Sequence, residues 1–166
     1  DERAVPGKYD VTVLGLNARM SELQAAVGCQ QLDKIDQILE LRANNFKRMK
    51  TGLTDIKGLS ILDADHPDKS SSHYCLSVIL HGHLKNYRDK IIRDLNDIGV
   101  GTSIYYPHPV PRLTYYANKY GFQQGSCVNA SAISDHSIAL PVAPHVTLSD
   151  VEYMSESFQK VIEKVA

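Results

Sequence analysis

The sequence predicts an α+β fold, a small mixed sheet with helices packed on one side and preceded by a long helix. Three observations lead to this prediction. Apolar residues recur every three or four positions over residues 21–50, as on one face of a helix. Short β-prone runs follow at 59–62 and 73–80. A second apolar stripe at helical spacing ends the chain, so helices enclose the strands in sequence order.

The long helix has a recognisable start. Ser21 and Gln24 have the spacing of a capping box, in which the hydroxyl and the amide each bond to the other residue's backbone N–H. Its predicted apolar face consists of Leu23, Ala26, Val27, Leu32, Ile35, Leu39, Phe46 and Met49. An unbroken helix as far as Lys50 would be roughly 45 Å long. A break near Asp33 fits the pattern equally well.

Four runs are predicted to be extended. Residues 59–62 and 73–80 are strands, and in the second Tyr74 begins an alternating set typical of a half-buried strand. Residues 101–106 are predicted to be a third strand, because prolines stop the run directly afterwards. Residues 137–142 form a further extended segment, and the stretch between these last two is irregular.

Two more helices are predicted. Asn86 is expected to cap the first, which Gly99 ends, and Ser149 with Glu152 is expected to cap the last. The inward residues of the first are predicted to be Tyr87, Ile91, Leu95 and Ile98. Those of the last are Val151, Met154, Phe158, Val161 and Val165.

The composition excludes several function classes. The 166 residues are 43% hydrophobic and 22% charged, which is ordinary for a globular domain. A net charge of −1 gives no electrostatic reason to expect a nucleic acid or membrane partner. Three widely spaced cysteines (Cys29, Cys75 and Cys127) favour reduced thiols and a cytoplasmic location. Because the chain starts at Asp1 rather than Met, we expect it to be part of a longer protein.

The turn from Gly15 to Ser21 is the first candidate site. Asn17 offers an amide, and Arg19 offers a planar guanidinium suited to phosphate or carboxylate. Both precede a helix N-terminus, where unpaired N–H groups favour an anion. The alternative is a plain surface turn with a solvated arginine.

A tyrosine–proline run, "IYYPHPVPRL" at 104–113, is the second candidate. Three prolines stiffen it, and it presents the side chains of Tyr105, Tyr106, His108 and Arg112. Such a segment could line a pocket; the alternative is a surface connection with its tyrosines packed on the sheet. No catalytic residue and no metal site is predicted, since the sequence has no nucleophile elbow, phosphate-binding glycine loop or H-E-x-x-H.

Three blocks of sequence together resemble a known family. "GLNARMSELQAAVGCQQLDKIDQILELR" (15–42) resembles the G-x-N-x-R-[ML]-[ST]-[ED]-L-x-A-A-x-G-x-x-Q-L block of the DegT/DnrJ/StrS-type sugar aminotransferases. "GVGTSIYYPHPV" (99–110) is similar to G-I-x-T-x-x-[HY]-Y-P-x-P-[LV] of that family. "SIALPVAPHVTLSDVEYM" (137–154) resembles its block near the C-terminus. The blocks are in the family's order and span nearly the whole chain.

The resemblance implies the C-terminal domain of a fold-type I, pyridoxal-phosphate-dependent aminotransferase. Residues 1–52 would then be the cofactor-clamp loop and an interdomain connecting helix, and 53–166 the small α+β domain. In the family a preceding N-terminal cofactor domain carries the Schiff-base lysine, the stacking ring and the acidic partner of the pyridine nitrogen. No lysine of this chain matches the Schiff-base motif. The implied partners are that domain, a second subunit in a homodimer, an amino-acid donor and a nucleotide-sugar substrate.

The resemblance also implies roles for individual residues. Asn17 would reach across the dimer interface to the phosphate of the neighbouring subunit's cofactor, and Arg19 would meet the phosphates of the substrate. Tyr105 stands where many members have histidine, and Tyr105 and His108 are predicted to contact substrate. Pro111 stands where many members have a sugar-facing histidine, so the sugar stays open, as does the choice between transamination and dehydration. The alternative function is a non-catalytic binding or regulatory domain derived from the family.

Overall fold

A computed structural model describes residues 13–16, 18–62 and 68–165. The chain divides into two compact units, Asp1–Ile35 and Asp36–Ala166. No helix in the described ranges is both long enough and apolar enough to cross a membrane.

Helix α1 (Glu22–Leu32) is the regular element described in the first unit. It starts as the sequence predicts: the Gln24 N–H donates to Oγ of Ser21 at 3.4 Å, and the Ser21 N–H donates to Oε1 of Gln24 at 2.9 Å. None of its side chains is buried. Leu23, Val27 and Leu32 are between 63% and 81% exposed, so these members of the predicted apolar face are not buried among the described residues.

The predicted long helix is broken, and the break is the one that the sequence pattern allowed near Asp33. Asp33 is the C-cap of α1, and its N–H donates to the carbonyl of Cys29 at 3.0 Å. Helix α2 (Ile35–Leu53) begins two residues later. Phe46 and Met49, at the far end of the predicted stripe, are buried in α2.

The sheet of the second unit consists of β1 (Leu59–Ile61), β2 (Leu76–Leu80) and β3 (Ser137–Leu140), in that spatial order. Leu59 pairs with Leu80, and Leu76 pairs with Leu140. Both pairings are antiparallel, so the sheet predicted as mixed is antiparallel in its described strands.

The helices of the second unit follow the strands in turn. A 3-10 helix (Gly82–Tyr87) leads directly into α3 (Arg88–Asp97). Two short helices, α4 (Thr114–Tyr120) and α5 (Val128–His136), occupy the stretch predicted to be irregular. Helix α6 (Leu148–Glu163) closes the unit.

One hydrophobic core holds α2, the sheet, α3 and α6 together. All five residues of the predicted α6 stripe are buried, and Phe158 is fully so. The central strand gives Leu76, Val78 and Leu80, each with no exposed surface. Burying one such side chain contributes roughly 1.5–3 kcal/mol. These contacts confirm the α+β fold class.

The prediction of a third strand over residues 101–106 is wrong. In this segment only Ser103 pairs with the sheet, through two hydrogen bonds with Ala139 at 3.0 and 2.8 Å. Pro107 and Pro109 follow at once and lack the N–H groups that a continuing ladder needs.

Two predicted caps are also displaced. Asn86 lies inside the 3-10 helix, and α3 begins after Tyr87, which makes no side-chain cap. At α6 the cap is Thr147 rather than Ser149: the Thr147 N–H donates to Oδ2 of Asp150 at 2.8 Å, and the Asp150 N–H donates to Oγ1 of Thr147 at 3.2 Å. The strand predicted over 73–80 begins only at Leu76, so Tyr74 lies before β2 and is 64% exposed.

Candidate functional site

Part of the predicted phosphate clamp lies outside the described residues, because Asn17 is not among them. Arg19 is described and exposed, two residues before the N-cap Ser21 of α1. Its guanidinium and the N-terminal end of the helix are both suited to an oxyanion, whereas the carboxylate of Glu22 in the first turn opposes one. The described donors at this turn therefore suit an anion such as a phosphate.

The tyrosine–proline run lines a cavity of about 490 Å³. Tyr105 and His108, two of the three predicted substrate contacts, both line it, whereas the third, Arg19, does not. The lining also includes Ala130, Ile133 and Ser134 of α5. The structure thus brings this pair of predicted site residues to one cavity, against a helix that the sequence analysis missed.

Arg112 orients His108 within this run. Its Nε and Nη2 lie 3.2 and 2.8 Å from Nδ1 of His108. A guanidinium carries donors only, so Nδ1 must be the acceptor and the ring proton lies on Nε2. Among the described residues, Nε2 of His108 has no hydrogen-bond partner. His108 therefore keeps its Nε2–H free of the Arg112 contact, and the residue lines the cavity.

Asp135 holds Arg112 in turn. Nη1 of Arg112 donates to Oδ2 of Asp135 at 3.0 Å, and Nη2 makes a short contact with Oδ1. The hydrogen bond from Arg112 lowers the pKa of Asp135 below its usual value, and the same bond raises the pKa of Arg112. Both groups stay charged at neutral pH, which favours the bidentate geometry.

A second cavity, of about 280 Å³, also has Tyr105 in its lining, together with Arg42 of α2 and Tyr74. Cζ of Arg42 lies 5.6 Å from the centre of the Tyr74 ring, and the rings of Tyr74 and Tyr105 are 5.7 Å apart. The side chain of Tyr105 raises the pKa of Tyr74 above its ordinary value of 10.0.

Sequence reasoning missed Asp135, Arg42 and Tyr74 as site residues. Asp135 is 23 positions from Arg112 in the chain, and Arg42 is 32 positions from Tyr74. No local motif marks any of the three. Among the described residues, no group of His, Cys, Asp and Glu side chains is arranged to hold a metal ion.

Similar proteins agree with this architecture. The sequence model of the DegT/DnrJ/EryC1/StrS aminotransferase family matches residues 2–159. The erythromycin biosynthesis sensory transduction protein EryC1 of Saccharopolyspora erythraea is 31% identical over 147 residues, which are 89% of this chain and 38% of that protein. The dTDP-4-amino-4,6-dideoxy-D-glucose transaminase of Shigella dysenteriae is 24% identical over 92% of this chain and 41% of that protein.

A solved structure shows the same fold. Spr1654 from Streptococcus pneumoniae, in its PLP form, superposes with a TM-score of 0.84 at 27% identity, over 96% of this chain and 40% of that one. The chain thus spans about two-fifths of the length of the relatives that it matches. A family match over nearly all of its residues means that the chain belongs to the DegT/DnrJ/EryC1/StrS aminotransferase family.

Proposed function

We propose that the chain is the C-terminal part of a pyridoxal-phosphate-dependent aminotransferase that acts on nucleotide-linked keto-sugars. The observation that carries this proposal is the family match over residues 2–159 in a chain that spans only 38% of the EryC1 protein and 41% of the Shigella transaminase. The name of the Shigella relative supports the substrate class, since that protein is a transaminase of a dTDP-sugar. The PLP form of Spr1654 supports the cofactor.

The proposed partners are an N-terminal cofactor domain and a second copy of the complete protein. The exposed apolar side chains of α1 support them: Leu23, Val27 and Leu32 would be covered in a larger assembly. Under this proposal residues 1–52 form the clamp loop with its connecting helices, and residues 53–166 form the small domain.

Asn17 and Arg19 would hold phosphate groups across the subunit interface. The amide of Asn17 would donate to the cofactor phosphate, and the guanidinium of Arg19 would pair with the phosphates of the nucleotide-sugar. The cofactor, when bound, supplies the electron sink that amino transfer needs. The role of this chain is therefore to bind and position charged groups.

Tyr105 and His108 would contact the sugar at the 490 Å³ cavity. Because Arg112 occupies Nδ1, the Nε2–H of His108 would donate to a carbonyl or hydroxyl oxygen of the substrate. The apolar side chains of Val110, Leu113 and Ile133 would exclude water from that hydrogen bond and so strengthen it.

The alternative function, a stand-alone binding or regulatory domain, is not favoured. Such a module would need its own cover for the apolar face of α1, and none of the α1 side chains is buried. The curated relatives are matched over only two-fifths of their length, as expected for one domain of a larger enzyme.

The test is amino transfer by the complete protein. Purified protein is incubated with pyridoxal phosphate, an amino-acid donor such as glutamate, and a nucleotide-linked keto-sugar, and the sugar nucleotide is followed by mass spectrometry. We expect an amino-sugar product and loss of product when the donor is omitted. Donor-independent loss of a sugar hydroxyl would instead assign dehydration, and no turnover together with no cofactor binding would contradict the proposal.

A further inference from the structure

A groove of about 640 Å³ runs between helices α2 and α6 of the second unit. Gly52 of α2 and Ser155 of α6 both line it. A Cβ atom at Gly52 would lie only 2.7 Å from Oγ of Ser155, so the two helices are in close contact at this point. Because both residues are small, neither fills the space beside the contact.

The two helices run in the same general direction along the groove. Nδ2 of Asn45 donates to the carbonyls of Ala143 and Val146, just before α6 begins, at 3.1 and 2.9 Å. Further along both helices, Oγ of Ser155 donates to Sδ of Met49 at 3.3 Å. Later residues of α2 therefore meet later residues of α6, and rows of side chains on the two helices run alongside each other.

The two walls of the groove carry opposite charges. Lys47 and Arg48 line it from α2, whereas Glu152 and Glu156 line it from α6, and all of them are exposed. Within the described ranges, Lys47, Arg48 and Glu152 take part in no ion pair. Glu156 pairs with Lys160 of its own helix at 3.6 Å, and both of these side chains are 70% exposed. The basic wall and the acidic wall thus line one space without neutralising each other.

The groove suits a protein surface better than a small molecule. In the part of the chain that the structure describes, the buried side-chain atoms without a hydrogen-bond partner belong to Arg42, His136 and Ser137, and none of these residues lines the groove. Thr51, which does line it, already donates to the carbonyl of Lys47 at 3.0 Å. The capacity of the groove to bind therefore lies in exposed charged side chains, which are typical of the rim of a protein interface.

A fitting partner must present an acidic row beside a basic row, at a similar spacing. A second copy of the same groove meets this requirement. A two-fold axis parallel to the helices places α2 of one copy over α6 of the other, so that both basic rows meet acidic rows. A two-fold axis across the helices would instead place α2 on α2, with like charges together.

From the opposite, unpaired rows and the common direction of the helices, we infer that the α2–α6 groove docks against the same groove of a second copy of the protein. In each half of this contact, Lys47 and Arg48 pair with the acidic row of the other copy. Asn17 and Arg19 lie in the first unit and take no part, so this contact joins copies in addition to the proposed clamp.

The test is sedimentation velocity of the complete protein over a range of protein concentrations. Exposed ion pairs are weak and are screened by salt, so we expect a reversible association. The average mass should rise with protein concentration, and the association should weaken about tenfold or more when the ionic strength is raised from about 0.05 M to about 0.5 M. An inactive protein can be measured in the same way, so the result does not depend on the proposed function.

Charge reversal on either wall locates the contact. Reversal of the α2 wall, by Lys47→Glu with Arg48→Glu, leaves an acidic groove. Reversal of the α6 wall, by Glu152→Lys with Glu156→Lys, leaves a basic groove. Each variant should repel its own copies and lose the association, whereas an equimolar mixture of the two should regain it, because the acidic groove of one variant meets the basic groove of the other.

The matched control is Lys57→Glu with Lys85→Glu. Both lysines are exposed and lie outside the groove, and the net charge changes by the same amount as in the α2 reversal. This control should associate as the unmodified protein does. A mass that does not change with protein concentration, equal loss of association in the control, or a mixture that stays apart would overturn the inference. So would association of the unmodified protein that strengthens with salt, which decides the matter even if a variant does not fold.

Discussion

Arg112 donates hydrogen bonds to both carboxylate oxygens of Asp135, and Asp135 directly follows Ser134, which lines the cavity that we propose for the sugar. The same guanidinium donates to Nδ1 of His108. One charged pair thus determines both where the His108 ring lies and which of its nitrogens bears the proton.

Asp135→Asn should destabilise the protein in a pH-dependent way. The pKa of Asp135 lies below its ordinary value of 3.8 because Arg112 donates to the ionised carboxylate. Its contribution is therefore present above about pH 4 and is lost as the pH falls through the native pKa. Because the pair is partly exposed, we expect Asp135→Asn to lower the free energy of unfolding by about 0.5–1 kcal/mol at pH 7.

Urea unfolding of the unmodified protein and the Asp135→Asn variant, from pH 7 down to acid, measures this difference. Asp89→Asn is the matched control. The Asp89 carboxylate beside Arg88 is 75% exposed, so its replacement should lower the free energy of unfolding by less. The difference in the free energy of unfolding between the variant and the unmodified protein should shrink as the pH falls. A difference that grows on acidification would contradict the prediction.

Arg112→Met should release His108 from its fixed tautomer. In the complete enzyme we expect the KM for the sugar nucleotide to rise about fivefold, the equivalent of one hydrogen bond, with a smaller effect on kcat. Nitrogen-15 NMR of the imidazole should show the proton mainly on Nε2 in the unmodified protein and a mixture in the variant.

The double variant Arg112→Met with His108→Ala separates positioning from general destabilisation. If Arg112 acts through His108, removing Arg112 should have no further effect on KM once His108 is absent. Additive losses would show that Arg112 has a separate role.

Thr147→Ala should lower the free energy of unfolding by about 1 kcal/mol, because Oγ1 of Thr147 caps the first turn of α6. Ser149→Ala is the matched control. Ser149 is exposed and lies inside the helix, so its loss should cost little or nothing. Thermal or urea unfolding of the two variants measures both free energies of unfolding. A larger decrease for Ser149→Ala would show that Ser149, the residue predicted from the sequence, is the cap.

Asn17→Ala should weaken retention of pyridoxal phosphate by the complete enzyme about tenfold and leave folding nearly intact, because one hydrogen bond to a charged phosphate is lost. Cofactor dissociation is followed by absorbance after dilution. Asn44→Ala, an exposed asparagine of α2, is the control. Unchanged cofactor affinity in the Asn17 variant would count against the clamp.

The last helix shows what sequence patterns determine well. Val151, Met154, Phe158, Val161 and Val165 repeat at helical spacing, and all are buried because a stripe of this width has to face a core. The cap was harder to assign, since Thr147 with Asp150 and Ser149 with Glu152 offer the same spacing two residues apart. Local chemistry allows both, and the packing of the stripe selects one.

Features that depend on distant partners were not predictable. The run 101–106 has strand composition, but only Ser103 finds a partner in Ala139. Helix α5 has no wide apolar stripe, although its Ile133 and Ser134 line the cavity. The pairing of Arg112 with Asp135 and the contact of Arg42 with Tyr74 likewise join segments that only the folded chain brings together.

The central claim, that this chain is one part of a longer pyridoxal-phosphate enzyme, is tested most directly by the intact mass of the native protein from its source after borohydride reduction. Reduction fixes the cofactor to its lysine, so the adduct remains on the chain that carries it. We predict a polypeptide well above 18.4 kDa that carries one reduced pyridoxal-phosphate adduct. A native chain of about this mass without an adduct would contradict the claim.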